Sequence, residues 1–318
     1  MTTQQAPLPS GFTAQTTAHE VLGNRRLEGR LAIVTGGYVG IGLETTRALS
    51  AAGATVIVPA RTPDKARAAL SGLSRVELDS LDLSEPASID AFAARFIASG
   101  RPLHMLINNA GIMATPLARD ARGFESQLAT NHLGHFQLTA RLWPALLAAR
   151  GARVVALSSR GHARASVDLD DPNFERRPYD KWVAYGQAKT SNALFALALD
   201  ARGEAHRVRA FSVHPGAVLT ELGRSVPEDE MRAIRARLAA AGHTAYKTTE
   251  QGAATSVWCA VSPQLDGLGG VYCEDVDIAK AVPADFTEPS GVRPWAMDPA
   301  LAERLWAKSE EWTGVRLW

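Results

Sequence analysis

Apolar and polar positions follow two rhythms along this 318-residue chain. Short runs that are apolar at nearly every position occur at Leu31–Val34, Thr55–Val58, Val76–Leu78, Met105–Ile107, Arg153–Leu157, Val208–Val213 and Gly270–Tyr272. Between them lie stretches with helical spacing: Ile41–Ala52 (closed by Gly53), Thr62–Leu70, Glu85–Ala98 with Ser84 as N-cap, Gly123–Arg150, Trp182–Arg202 and Gly252–Val261. Runs without alternation predict strands buried on both faces. Strict βα order then predicts a doubly wound, mainly parallel sheet of seven strands, the last at an edge, with helices on both faces.

Residues 1–26 stand apart as an N-terminal extension. They read as a tail, disordered or lying on the surface, with a short helix near Ala18–Leu22. No repeat or linker breaks residues 27–318, which read as one domain. Three segments exceed the minimal alternation: 161–181, 221–246 and the tail 274–318. Ligands of open α/β sheets bind beyond the carboxyl ends of the strands, so 161–181 and 221–246 are expected on the substrate side.

Composition narrows the partners. Lys plus Arg number 34 against 33 for Asp plus Glu, so no electrostatic argument favours nucleic acid or an anionic membrane. No apolar run approaches the roughly 20 residues that span a bilayer. Met1–Thr17 has neither the basic nor the apolar region of a signal peptide, and a cytoplasmic protein without a membrane anchor is expected. Cys259 and Cys273 show no metal-ligand spacing and no metal site is expected; they are either one disulfide or, as a reducing cytosol favours, two free thiols.

Chemistry enters directly after the first strand, at Thr35-Gly36-Gly37-Tyr38-Val39-Gly40-Ile41-Gly42. Glycines at this spacing before a helix let backbone amides approach a dinucleotide pyrophosphate. At the end of the second strand, where an acid would select NAD, stands Arg61, which suits the 2′-phosphate of NADP(H); NAD(H) is the second choice. Asp82-Leu83 follows the third strand, where Asp82 is placed to accept from an adenine amino group or to serve as a turn aspartate. Asn109-Ala110-Gly111 follows the fourth and passes the ribose. Tyr185 and Lys189 stand four apart on one helix face, where a cation lowers the phenol's pKa, and Ser159 follows the fifth strand. The tyrosine would exchange a proton with a carbonyl or alcohol oxygen while the serine holds it. Trp182, one turn earlier, is a candidate pocket wall.

These motifs, with Pro215-Gly216, resemble the short-chain dehydrogenase/reductase family from about Leu27 onward, and so imply a Rossmann fold. Thr130-Asn-His-Leu-Gly-His-Phe136, Val213-His-Pro-Gly216, Glu250-Gln-Gly-Ala-Ala-Thr255 and the long Ser159–Tyr185 spacing are similar to the retinol-dehydrogenase-like branch that includes the WW-domain-containing oxidoreductase. The resemblance implies that Asn131 completes a tetrad with Ser159, Tyr185 and Lys189 and holds a relay water. It implies that Lys189 also binds the nicotinamide ribose, and that Pro215, Val218 and Thr220 flank the nicotinamide. The branch often has small polar residues where Tyr38-Val39 stands; Tyr38 packs over the phosphates, closes the pocket, or is a surface aromatic. No basic residue marks this loop, so the NADP(H) reading rests on Arg61.

The remaining candidates read as structural. His104, His132, His135 and His162 suit core or supporting positions, and His214 a place beside the cofactor. Arg176, Arg177, Asp170, Asp171 and Glu175 read as solvated loop charges, and Trp295, Trp306, Trp312 and Trp318 as helix-packing anchors. The sequence thus predicts an NADP(H)-dependent oxidoreductase acting on a small-molecule carbonyl or alcohol, chiefly in reduction. An epimerase or dehydratase with tightly held cofactor, and a regulatory NADP(H)-binding protein without turnover, are the alternatives. The family implies a homodimer or larger assembly, and the long insertions a monomer.

Overall fold

The computed structural model describes residues 3–240 and 246–317. Its centre is one sheet of eight strands in the order β3-β2-β1-β4-β5-β6-β7-β8. The strands are β1 (Leu31–Val34), β2 (Thr55–Ala60), β3 (Val76–Ser80), β4 (Met105–Asn108), β5 (Ala152–Leu157), β6 (Val208–His214), β7 (Val271–Glu274) and β8 (Asp277–Ile278). All pair in parallel except β7 with β8. The expected class is present with one correction: β7 is not an edge. After β7 the chain turns through Asp275 and Val276, both at positive φ, and adds antiparallel β8 outside it. Two residues are too short a strand to announce themselves by pattern.

Side chains alternate between two cores, as a pleated strand requires. Ile33, Ile57, Leu106, Val154 and Ala210 face one side; Ala32, Val34, Val56, Ile107, Val155 and Phe211 face the other. The first core is completed by α4 (Pro86–Ala98), α6 (Gly134–Ala148), α7 (Lys181–Gly203) and α10 (Pro299–Thr313). The second is completed by α1 (Ala18–Leu22), α2 (Gly40–Ala51) and α9 (Thr249–Val261), with α3 (Pro63–Ala69) alongside. Trp306 stacks on Phe195 with their ring planes 2° apart and meets Phe136 edge-on, so this tail tryptophan is a packing anchor as expected.

Several local expectations are corrected. Glu85, not Ser84, precedes α4; Ser84 is drawn away because its amide and hydroxyl both donate to Asp82 Oδ1, at 2.9 and 2.6 Å. Helical text from Gly123 starts helix only at α5 (Ser126–Leu128), passes through a π-helical segment Ala129–Leu133, and continues as α6. The loop charges after residue 168 are not simply solvated: Asp171 is buried, accepts the Glu175 and Arg176 amides, and faces Arg177. Of segment 221–246, residues 241–245 lie outside the described part, as does Trp318. Both cysteines are free and buried.

The N-terminal extension is tied down over most of its described length. The Gln5 side-chain amide exchanges two hydrogen bonds with the Tyr272 backbone, at 2.8 and 2.9 Å. Ser10 and Gln15 carbonyls accept from Gln264 and Gln251, and α1 carries a Thr17/Glu20 capping box that sets Val21 and Leu22 into the core.

Gly134, where α6 leaves the π segment, sets the distance between that helix and β3's following loop. A Cβ there would stand 2.4 Å from the Leu83 carbonyl oxygen. A helical Gly→Ala change ordinarily stabilises by up to ~1 kcal/mol. Gly134→Ala is expected to destabilise instead, by about 1–3 kcal/mol of overpacking, read as a lower urea midpoint.

Candidate active site

The sheet order reverses between β1 and β4, and the loops leaving their carboxyl ends open a crevice there. Loop 35–39 turns back through Gly36 at φ +64° and enters α2 through Gly40 at φ +53°. The turn is packed against its own backbone. A Cβ on Gly42 would lie 2.3 Å from the Gly36 oxygen and 2.4 Å from Asn109 Nδ2. Val39 at the N-cap supplies no side-chain hydrogen bond, so the first amides of α2 are left for another acceptor. A Cβ on Gly40 would meet Thr220 at 3.2 Å, which places the segment after β6 across the loop. This glycine-walled cradle at an uncapped helix start fits a pyrophosphate.

Thr35, expected at the cofactor, is spent inside the protein. Its hydroxyl oxygen accepts the Asn109 and Ala110 amides at 2.9 and 3.0 Å and lies 2.9 Å from His135 Nε2, with almost no exposure. Asn109 Nδ2 donates to the Thr35 carbonyl. The pair therefore shapes the crevice wall. Ile41 and the half-buried Tyr38 pack against the second core. Tyr38 is thus not a surface aromatic.

At the far end of the crevice Arg61 is 68% exposed, and its Nε is 4.0 Å from Asp82 Oδ2. Asp82 Oδ1 holds Ser84, the turn-aspartate alternative, which leaves Oδ2 toward Arg61. Leu83 has its side chain in the first core.

The catalytic candidates converge at the other end. Tyr185 and Lys189 share the buried face of α7. Ser159 and Tyr185 meet across Gly161, where an added Cβ would lie 2.8 Å from the Tyr185 ring and 3.6 Å from Ser159 Oγ. Ser159 Oγ accepts the Gly161 amide at 3.0 Å, so its own proton remains to be donated. Lys189 Nζ donates to the Leu157 carbonyl at 2.9 Å and lies 5.7 Å from the Tyr185 ring centre. Asn131 sits in the π-helical segment, and its side chain pairs with both backbone groups of Ile112, at 2.8 and 2.9 Å. A Cβ on Gly111 would be 3.0 Å from Asn131 Oδ1 and 3.6 Å from Lys189 Nζ, so these two groups meet across that glycine. The four residues that the sequence placed in a tetrad are brought together.

Burial dominates their protonation. It pushes Tyr185 up to about 12, with Ser159 opposing, and pushes Lys189 down to about 8. The expected lowering of the tyrosine by its lysine is therefore not what the chain's own groups produce. Lys189 faces Leu157, and desolvation of the phenol outweighs it.

Around the tetrad, Pro215 follows β6 into Gly216 at φ +88°. Val218 bridges to Lys247 and lies 2.7 Å from where a Gly252 Cβ would be. Thr220 caps the short turn Glu221–Ser225. Trp182, half-buried at the start of α7, donates from Nε1 to Glu230 at 2.7 Å, and Lys181 contacts the same carboxylate at 2.5 Å. Glu230 thus fastens α8 (Glu228–Ala240) beside the site. His214 accepts the Arg160 and Gly216 amides on Nδ1, and so braces two loops.

Sequence reasoning missed Gly161 and Glu230, whereas His135 and His162 occupy the supporting positions expected of them. Gly161 has the clearest signal in retrospect, since Gly186 stands beside Tyr185. A Cβ on Gly161 would be 2.8 Å from two Tyr185 ring carbons, and one on Gly186 would be 2.8 Å from the Gly161 oxygen. Two glycines thus let a loop touch the helix that carries the tyrosine. Gly161→Ala is expected to displace the Tyr185 ring and lower turnover by about 100-fold while leaving dinucleotide affinity within twofold, measured by steady-state kinetics and titration calorimetry.

Residues 30–231 match the short chain dehydrogenase family. A protein of Streptomyces lividans described as a probable oxidoreductase is 46% identical over 290 residues, covering 88% of this chain and 96% of that one. Human retinol dehydrogenase 12 is 38% identical over 299 residues, covering 92% and 89%. A solved structure of an uncharacterised Mycobacterium paratuberculosis protein superposes with a TM-score of 0.73 at 31% identity, covering 93% and 98%. With its sheet order, glycine loop and tetrad geometry, the chain belongs to the short-chain dehydrogenase/reductase family of nicotinamide-dependent oxidoreductases, in its retinol-dehydrogenase-like branch.

Proposed function

We propose that this protein reduces a small-molecule carbonyl compound with NADPH. The observation that carries the reading is the turn at Gly161, whose amide donates to Ser159 Oγ and whose α-carbon lies against the Tyr185 ring, so that the serine and tyrosine side chains meet at one place. A bound dihydronicotinamide supplies the hydride to the carbonyl carbon. The glycine cradle and the amides of α2 hold the pyrophosphate, and Gly111, Pro215, Val218 and Thr220 wall the nicotinamide end.

The chain's own groups then handle charge and protons. Ser159, whose oxygen is occupied by the Gly161 amide, donates its hydroxyl to the substrate oxygen. Tyr185 gives that oxygen its proton. A phenol pushed up to about 12 is protonated at neutral pH, which is the starting state for reduction. Lys189 holds the ribose and places positive charge near the phenol, and Asn131 keeps the Ile112 turn beside it. Trp182 forms one wall of the substrate space. Arg61, exposed at the end of β2, takes the 2′-phosphate.

The test combines binding and turnover. NADPH is expected to bind at least tenfold more tightly than NADH, and Arg61→Ala to remove that preference. On a panel of aldehydes and ketones, Tyr185→Phe should abolish NADPH oxidation without weakening NADPH binding. Equal affinity for NADH would overturn the cofactor assignment, and turnover surviving in Tyr185→Phe would overturn the mechanism.

Stability should report the buried pair. Lysine ordinarily titrates near 10.5 and Lys189 at about 8, so through that window the unfolded chain binds more protons and stability rises with pH. Tyr185 has the opposite sign: from its ordinary 10.0 to about 12 the folded chain binds more protons, and stability falls. In urea unfolding the wild type should therefore gain on Lys189→Met between pH 8 and 10. Parallel pH curves for the two proteins would contradict the burial of the charge.

A further inference from the structure

The carbonyl of Ser159 is held by an unusual number of donors. It accepts the His162 backbone amide at 3.0 Å, His162 Nδ1 at 2.8 Å and the Tyr272 hydroxyl at 3.1 Å. The tautomer of His162 follows from its neighbours. The Arg293 amide donates to Nε2 at 3.2 Å, so Nε2 carries the lone pair and Nδ1 the proton. Burial pushes the ring's pKa down to about 4, which keeps it neutral and in this tautomer at physiological pH.

The same residue is gripped from the far end of the chain. Trp295 Nε1 donates to the His162 carbonyl at 2.8 Å, and the buried Arg293 is anchored by its guanidinium to the Phe286 carbonyl at 2.5 Å. Tyr272 belongs to β7, and its ring lies 4.7 Å from that of His162. Trp295 therefore ties down the catalytic loop while also packing, as expected from the sequence, on the cluster that includes Ala193 of α7. All three partners, Tyr272, Arg293 and Trp295, lie beyond residue 231, where the family match ends.

We propose that His162 is a positioning residue through which β7 and the C-terminal segment 290–296 fix the backbone of Ser159, and with it the hydroxyl that faces Tyr185. The ring touches no reacting atom. It acts by holding the Ser159 carbonyl from below while Gly161 holds Oγ from within the same turn. The functional consequence rests on the proposed roles of Ser159 and Tyr185; the mechanical link does not.

Three variants test it. His162→Phe keeps a ring and removes its polar contacts with Ser159, Tyr272 and Arg293, His162→Asn retains a donor near the Nδ1 position, and Trp295→Phe loosens only the tail. With NADPH and a reducible carbonyl, His162→Phe should lose about 10- to 100-fold in kcat, as misplacement of a reacting group does, with KM and NADPH affinity within twofold. His162→Asn should recover part of the loss. Backbone hydrogen exchange across residues 157–165, which needs no substrate, should quicken in His162→Phe and Trp295→Phe while residues 105–112 stay protected. Unchanged exchange in both variants overturns the clamp whether or not turnover is found. Quickened exchange with unaltered kcat overturns its role in positioning. Turnover that is indifferent to Tyr185→Phe instead brings down the mechanism and leaves the exchange result standing.

Discussion

The active-site end of the sheet depends on one hydroxyl group. Thr35 Oγ accepts the amides of Asn109 and Ala110 and meets His135, and so welds the end of β1 to the end of β4 where the strand order reverses. His135 passes the tie on, because its Nδ1 donates to the Asn131 carbonyl four residues earlier at 2.9 Å. Asn131 lies in the π-helical segment, where the Gly134 amide reaches back to the Ala129 carbonyl, and the histidine ring adds a side-chain donor to this stretch of backbone. The glycine loop, the Ile112 turn and the tetrad asparagine are thus parts of one hydrogen-bonded unit.

Around this unit the protein spends burial on control of protonation. His132 and His135 are pushed down to about 3 and 4, and His214 to about 3, so each is a neutral donor–acceptor strut. His132 braces α10 through the Ser309 hydroxyl at 2.8 Å. Lys189, at about 8, stays near a physiological titration. Fixed neutral rings hold geometry without adding competing charge beside the phenol.

Most of the fold was legible because it is written in period and punctuation. The βα alternation, Gly36, Gly40 and Gly42, and the four-residue spacing of Tyr185 and Lys189 are local signals, and the tetrad followed from them together with the family resemblance. What escaped depends on contacts across the chain. Ser84 looks like a cap until Asp82 claims it. Thr35 looks like a cofactor contact until two amides saturate it. β8 is too short to show a pattern, and no local signal joins His162 to Arg293, 131 residues away. The tyrosine's rise in pKa was misjudged for a related reason, since spacing predicts a neighbour but not the depth of burial.

The Gln5 amide that pairs with both backbone groups of Tyr272 behaves as one residue of an additional strand. With Leu8 donating to Asp277 and Thr3 accepting from Gly269, the N-terminal segment closes the β7–β8 margin of the sheet. An open margin is a template on which another chain can build hydrogen bonds. In this molecule the leading residues act as a selvedge: growth of the sheet into a neighbouring molecule on that side would first have to unpick them.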